Sequence, residues 1–196
     1  MIQMILLAAG LSRRYGGNKL LSDCNGLPLY RHCLNALYTL SQQRRDCSLV
    51  VVTRYEEIRG CCAQLSVPVC WNDHSELGIT SSLHLGLEAA PDADFYLCSV
   101  ADQPELTAEL LERFLRAFQA SGKGIGCLSH QGRSGNPVIF SRHYRDELMA
   151  LTGDQGGKIV LRRHPEDCFF WEGPALQDID RPEDHERLQN NFSKNS

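Results

Sequence analysis

Apolar runs of strand length alternate along the chain with stretches whose apolar residues recur at helical spacing. The runs are Ile5 to Ala8, Leu49 to Thr53, Val67 to Trp71, Phe95 to Val100 and Ile125 to Leu128. Between them, Leu34, Leu37, Tyr38 and Leu40 share a helical face, as do Leu83, Leu87 and Ala90, and later Leu110, Leu111, Phe114, Leu115 and Phe118. Strands that are apolar throughout need cover on both faces, and helical crossovers return each strand parallel to the last. The pattern therefore predicts an α/β fold, a three-layer α/β/α sandwich around a mainly parallel, Rossmann-like sheet.

Farther along the regularity weakens. Gly132 to Asn136 is glycine-rich and polar, and Pro137-Val138-Ile139-Phe140 reads as a short strand that its proline places at an edge or a strand start. Gly153-Asp154-Gln155-Gly156-Gly157 is a turn into Lys158 to Arg163, Phe169-Phe170-Trp171 is a further apolar run, and Asp180 to Asp184 reads as a loop capping a last helix. There is no internal repeat. One domain over 1–190 with a disordered tail at 191–196 is expected.

Composition then removes several classes of function. With 196 residues, 42% of them hydrophobic, the chain can bury one good core. A net charge of -4 with no basic stripe speaks against nucleic acid as a partner. The apolar start, Met1 to Gly10, lacks a basic leader and is cut by glycine far short of a membrane span, so a buried strand and no membrane association are expected. Nine cysteines, an odd number with no CxxC pair, read as free thiols in a reducing cytoplasm.

In an open α/β sheet a ligand lies outside the carboxyl ends of the strands, so polar residues that follow strands carry the most weight. Leu7-Ala8-Ala9-Gly10-Leu11-Ser12-Arg13-Arg14-Tyr15-Gly16-Gly17-Asn18-Lys19 combines small residues, glycines and cations after a buried strand. Small residues let the backbone approach a ligand, successive N–H groups can nest an anion, and Arg14 and Lys19 can neutralise charge on departing pyrophosphate. The dinucleotide spacing GxGxxG is absent, and Lys19 is followed by Leu20 where a Walker loop requires Ser or Thr. Asp102 follows the run Phe95 to Val100, which puts a carboxylate at a strand end where hard magnesium could bridge it to phosphate oxygens; capping of a helix begun at Pro104 is the other reading.

The opening loop resembles the LAAGxSxRxGxxK signature of the molybdenum cofactor nucleotidyltransferases, a MobA-like family, and within it the cytidylyltransferase branch. The resemblance continues in order through Lys19-Leu20-Leu21, Gly26-Leu27-Pro28-Leu29, Leu77-Gly78-Ile79-Thr80-Ser81-Ser82-Leu83, Ala101-Asp102-Gln103-Pro104, Gly135-Asn136-Pro137-Val138, Gly153-Asp154-Gln155-Gly156 and Asp178 to Asp184. It covers nearly the whole chain. Tyr15 departs from the methionine common between Arg and Gly in that signature.

The resemblance implies a GT-A-like nucleotide-diphospho-sugar transferase type of fold and a magnesium site formed by Asp102 and Asp180. It implies catalytic roles for Arg14, Lys19 and Asp102, and nucleotide contacts from Leu7, Ala8, Ala9, Gly10, Ser12, Gly78 and Ser82. Without it, Asp180 and Ser81 read equally well as helix caps, and Ser82 less so. Asn136 and Asp154 are polar turn residues to which the resemblance gives a second substrate, a pterin with a terminal phosphate. The implied reaction moves CMP from CTP to molybdopterin-type cofactor, for delivery to a molybdenum hydroxylase. Ala9 favours cytidylyl over guanylyl transfer because the guanylyl branch usually carries glycine there. Guanylyl transfer, sugar-phosphate or methylerythritol-phosphate nucleotidyl transfer, and a non-catalytic cofactor carrier remain as alternatives.

Overall fold

In the computed structural model, residues 1–184 are described. The first strand, β1 (Ile2–Ala8), is almost wholly buried. A 3-10 turn (Lys19–Leu21) and a short hairpin, β2 (Asp23–Cys24) with β3 (Leu27–Pro28), lead into helix α1 (Leu29–Gln43). Then come β4 (Cys47–Thr53), α2 (Glu56–Gln64), β5 (Val69–Trp71), α3 (Ile79–Glu88), β6 (Phe95–Val100) and α4 (Ala108–Ser121). The chain continues through β7 (Ile125–His130), β8 (Arg133–Ser141), α5 (Arg145–Met149), α6 (Lys158–Arg163) and β9 (Cys168–Glu172). No helix among the described residues is long and apolar enough to cross a membrane.

Seven strands form one sheet in the order β5-β4-β1-β6-β8-β7-β9. Every neighbouring pair is parallel except those involving β8, which runs against both β6 and β7. Period-two alternation sends the two sides of each strand to different cores. Met4, Leu6 and Ala8 of β1 join α1, α2 and α4 on one face, while Ile5 joins α3, α5 and α6 on the other. This is the expected three-layer sandwich.

One expectation is corrected. The segment containing Pro137 is neither a short strand nor an edge, for β8 begins at Arg133 and lies between β6 and β7. The β7–β8 ladder shifts register between Cys127 and Ser129, and Pro137 falls in that irregularity, where its missing N–H costs no regular ladder bond. Of the polar stretch before it, only Gly132 lies in the hairpin turn, with Gln131, both at positive φ, and Arg133 to Asn136 belong to β8. The expected domain end at 190 and tail at 191–196 lie outside the described residues.

Register aligns the ends of the strands. Leu7 lies beside Val100, Ala8 beside Thr53, and Thr53 beside Trp71. The loops after β1, β4, β5 and β6 therefore open on one edge of the sheet, and the chain departs in opposite directions on either side of β1, where an open sheet forms its crevice.

Candidate active site

The loop after β1 is pinned at both ends and open between. Tyr55 Oη donates to the Gly10 carbonyl at 2.6 Å, Thr53 Oγ1 donates to the Ala8 carbonyl at 2.9 Å, and the Lys19 amide donates to Ser12 Oγ at 3.3 Å. Ser12 itself has a φ of 51°. Asn18 accepts from the Leu20 amide and so caps the short turn that carries Lys19, while Leu20 is buried beneath it. A side chain added at Gly10, Gly16 or Gly17 would meet no atom within 4 Å. These glycines are thus not demanded by packing, and they leave the loop's backbone open to a ligand.

Lys19 is held 9% exposed and projects between two carboxylates from distant parts of the chain. Its Nζ donates to Asp102 Oδ2 at 2.7 Å and to Asp180 Oδ1 at 2.8 Å. Arg14 reaches Asp180 Oδ2 at 3.4 Å from a side chain that is 74% exposed. Burial works against the charge on Lys19, but the two carboxylates outweigh it and raise its pKa above the ordinary value. The hydrogen bond from Lys19 holds the Asp180 carboxyl below its usual range.

Asp102 does not cap a helix. Thr107 caps α4, accepting from the Leu110 amide, and Asp102 sits in the turn directly after β6. The late segment returns to it through the backbone, the Ile179 amide donating to the Asp102 carbonyl at 3.0 Å. Ile179 is fully buried with Cys24 and Leu29. Beside it Gln103 Nε2 donates to Asp178 Oδ1 at 2.7 Å. Burial, and then the nearby charge of Asp102, push the Asp178 carboxyl upward. Gln103 and Asp178 lie in two motifs that the sequence marks, but neither has a role of its own there, because their pairing, 75 residues apart, exists only in three dimensions.

The side chains open on a cavity of about 450 Å³ lined by Leu7, Ala9, Gly10, Ser12, Arg14 and Lys19 from the first loop, by Gly78 and Ser82, and by Asp102, Asp154 and Asp180. Arg13 and Glu76 also line it. Ala8 does not, since its side chain is buried in the core and only its carbonyl holds Thr53. Gly78 precedes α3 with a φ of 100°, and a Cβ there would lie 2.5 Å from the Gly153 backbone. That contact locks the start of α3 to the turn 153–156, where Asp154 Oδ1 accepts from the Ile79 amide at 3.2 Å. Neither serine caps α3 by its side chain. Ser81 Oγ donates to the Gly78 carbonyl, and Asn72 Nδ2 donates to the hydroxyls of both Ser81 and Ser82.

A second cavity of about 410 Å³ adjoins the first through Leu7, Ile79, Val100 and Asp154. Asn136 lines it, as do apolar Leu83, Val138 and Phe140, the buried Ser99, whose hydroxyl has no hydrogen-bond partner among the described residues, and the cations Lys158 and Arg162. The two cations are four apart on α6 and so share a face. That spacing is the one signal of them in the sequence.

The chemistry of the first cavity fits a hard divalent cation. Asp102 Oδ1 is buried and makes no hydrogen bond among the described residues, and Asp180 is half exposed beside it. No group of three or more His, Cys, Asp or Glu suited to a metal occurs among the described residues. Two carboxylates suffice for magnesium when phosphate oxygens and water complete its shell.

Known proteins share this architecture. A nucleotidyl transferase from Methanothermobacter, Mth528, superposes with a TM-score of 0.80 at 23% identity, covering 100% of this chain and 99% of that one. The chain is 28% identical over 164 residues to the molybdenum cofactor guanylyltransferase of Shewanella putrefaciens, covering 82% of this chain and 80% of that protein. It is also 28% identical over 205 residues to the purine catabolism protein PucB of Bacillus subtilis, covering 96% of each. The family model of the MobA-like NTP transferase domain matches residues 4–168, and the first loop, Lys19 and Asp102 fall within that span. By that match this chain belongs to the MobA-like NTP transferase family, the nucleotidyltransferases built on this sheet.

Proposed function

We propose that the protein transfers a nucleoside monophosphate from a nucleoside triphosphate to the terminal phosphate of a molybdopterin-type cofactor, with magnesium as the divalent ion and pyrophosphate as the second product. The observation that carries this reading is the convergence of Lys19, Asp102 and Asp180 beneath an open glycine-containing loop at one end of the sheet. The triphosphate would lie along that loop, on its backbone amides. An oxygen of the acceptor phosphate would attack the α-phosphorus as the bond to the β-phosphate oxygen breaks. Charge then grows on the departing pyrophosphate, where Arg14 and Lys19 would neutralise it. A divalent cation held by Asp102 and Asp180 would supply further neutralisation at the phosphate oxygens. No side chain need form a covalent intermediate.

The second cavity supports an acceptor site. Its apolar floor suits a flat heterocycle, Asn136 and Asp154 offer hydrogen bonds to its edge, and Lys158 and Arg162 suit an anionic substituent. The two cavities meet at Leu7 and Val100, so donor and acceptor would meet beside Asp102.

For the base, Ala9 lines the donor cavity and matches the cytidylyl form of the signature, which makes CTP the first choice. The name of the Shewanella relative favours GTP as the second reading. A cytoplasmic enzyme delivering its product to a molybdenum hydroxylase is the setting we propose. The test is incubation with each nucleoside triphosphate, magnesium and molybdenum cofactor, with pyrophosphate and the dinucleotide measured. Acceptor-dependent release that is fastest with CTP is expected; faster release with GTP assigns the guanylyl reaction, and no release with any nucleotide sinks the enzymatic reading in favour of a carrier.

A further inference from the structure

We propose that Lys19 occupies the place of the metal in the free protein, so that the site accepts a divalent ion only together with a polyphosphate and excludes the bare ion. This rests on the reading that Asp102 and Asp180 hold the metal.

The geometry is specific. Of the four carboxylate oxygens, Asp102 Oδ2 and Asp180 Oδ1 are hydrogen-bonded to the Lys19 ammonium, and Asp180 Oδ2 is paired with Arg14. Asp102 Oδ1 is left, and it is buried. An ion reaching for both carboxylates must therefore meet an ammonium 2.7 Å from one and 2.8 Å from the other. Like charges at that range repel strongly wherever water is scarce, and Lys19 and Asp102 side chains are only 11% and 16% exposed. Displacing the lysine without a new partner would leave its charge unpaired in a half-closed site, which is costly.

A triphosphate removes both obstacles. Its oxygens give the ammonium another anion to bind, on the loop that Lys19 already anchors through Ser12, and they complete the coordination shell that two carboxylates cannot fill alone. In its absence the Lys19 ammonium keeps the carboxylates from repelling one another. Metal and nucleotide binding are thereby coupled positively, and the coupling must be reciprocal.

The test is direct titration of the whole protein with Mn²⁺, followed by the paramagnetic signal of the free ion. It is run with and without CTP carrying a methylene bridge between the α- and β-phosphorus, which cannot be cleaved, with the Mn²⁺ that the analogue alone chelates subtracted, and repeated with the GTP counterpart. The wild-type protein should bind Mn²⁺ at least about tenfold more tightly with one of these analogues than without. Lys19→Met should bind Mn²⁺ alone about tenfold or more tightly than wild type does, because two carboxylates are left without their cation. Lys19→Gln, which keeps a polar side chain, carries the same comparison should Lys19→Met fail to fold. If neither variant gains affinity for the bare ion while Asp102→Asn loses Mn²⁺ binding in the presence of the analogue, the lysine inference falls and the metal assignment stands. If Asp102→Asn and Asp180→Asn both bind Mn²⁺ and analogue as wild type does, both fall together.

Discussion

At the scale of single residues, the site is a cluster of opposite charges whose members have different duties. Asp102 is largely buried and sits where β6 ends, so its carboxylate is aimed by the sheet itself. Asp102→Asn keeps the shape and removes the charge; a loss of nucleotidyl transfer of about a hundredfold or more is expected, with the melting temperature changed far less. Transfer at the wild-type rate would remove Asp102 from the reaction. Lys19 has a second, measurable consequence through pH. Its pKa is raised above 10.5, so its pairing stabilises the fold fully below that value and is lost as pH rises through the raised one. The Asp180 pKa is depressed below 3.8, so its share is present above that value and is lost as pH falls through the lowered one. Lys19→Met should therefore be less stable than wild type by about 1–3 kcal/mol, toward the low end because Asp180 is half exposed. Denaturant titrations should show that gap flat through neutral pH and narrowing at both extremes. A gap that widens on acidification would contradict the assignment.

At the scale of elements, the helix α3 ties the sheet behind the first loop to the turn 153–156. Gly86 faces Ile5 at the centre of β1 so closely that an added Cβ would press on the Ile5 Cγ2 methyl. Alanine favours a helix interior over glycine by about 1 kcal/mol, yet overpacking a tight core costs about 1–3 kcal/mol. The second effect should win because a β-branched side chain in a strand has little room to turn. Gly86→Ala should therefore lower stability, as thermal unfolding would show; a higher melting temperature would mean that α3 shifts freely away from the sheet. Gly78 differs in kind, for its positive φ and the Gly153 backbone both refuse a side chain. Gly78→Ala should separate α3 from the turn bearing Asp154 and raise the KM for acceptor or nucleotide about tenfold or more. Unchanged steady-state kinetics would show that the contact has no part in the site.

At the scale of the whole molecule, packing withdraws most of the thiols from solvent. All nine cysteines are free, and seven are buried, with Cys70 and Cys168 intermediate. Burial pushes the Cys98 thiol up to about 12, and the Cys62 thiol, with Cys61 beside it, to about 12 as well. At pH 8 the native protein should react slowly with iodoacetamide, first at Cys70 and Cys168, and all nine should react at once on unfolding. Mass spectrometry after a timed exposure reads this out. Rapid labelling of Cys98 in the native protein would show that the second cavity, which it lines, opens to solvent far more than the resting geometry allows.

The α/β class and its parallel sheet were legible in sequence because alternation and period are local properties. Ile5 to Ala8 and Phe95 to Val100 are apolar throughout, and such runs are stable only with cover on both faces. The same locality made the loop from Ala9 to Lys19 conspicuous, since its glycines and cations are neighbours in the chain. What sequence could not settle were pairings across long stretches of chain. Asp102 read first as a phosphate-side metal ligand with helix capping as the alternative, and Asp180 as a cap or a ligand alike; the sheet brought the one to the end of β6, and Ile179, buried against Cys24 and Leu29, brought the other back to it. Pro137 read as an edge because proline lacks a donor, yet a register shift in the neighbouring ladder made a central place tolerable. Periodicity and composition record what each segment requires of its surroundings. Which distant segment meets that requirement depends on how the whole chain closes around β1, and only the folded molecule decides it.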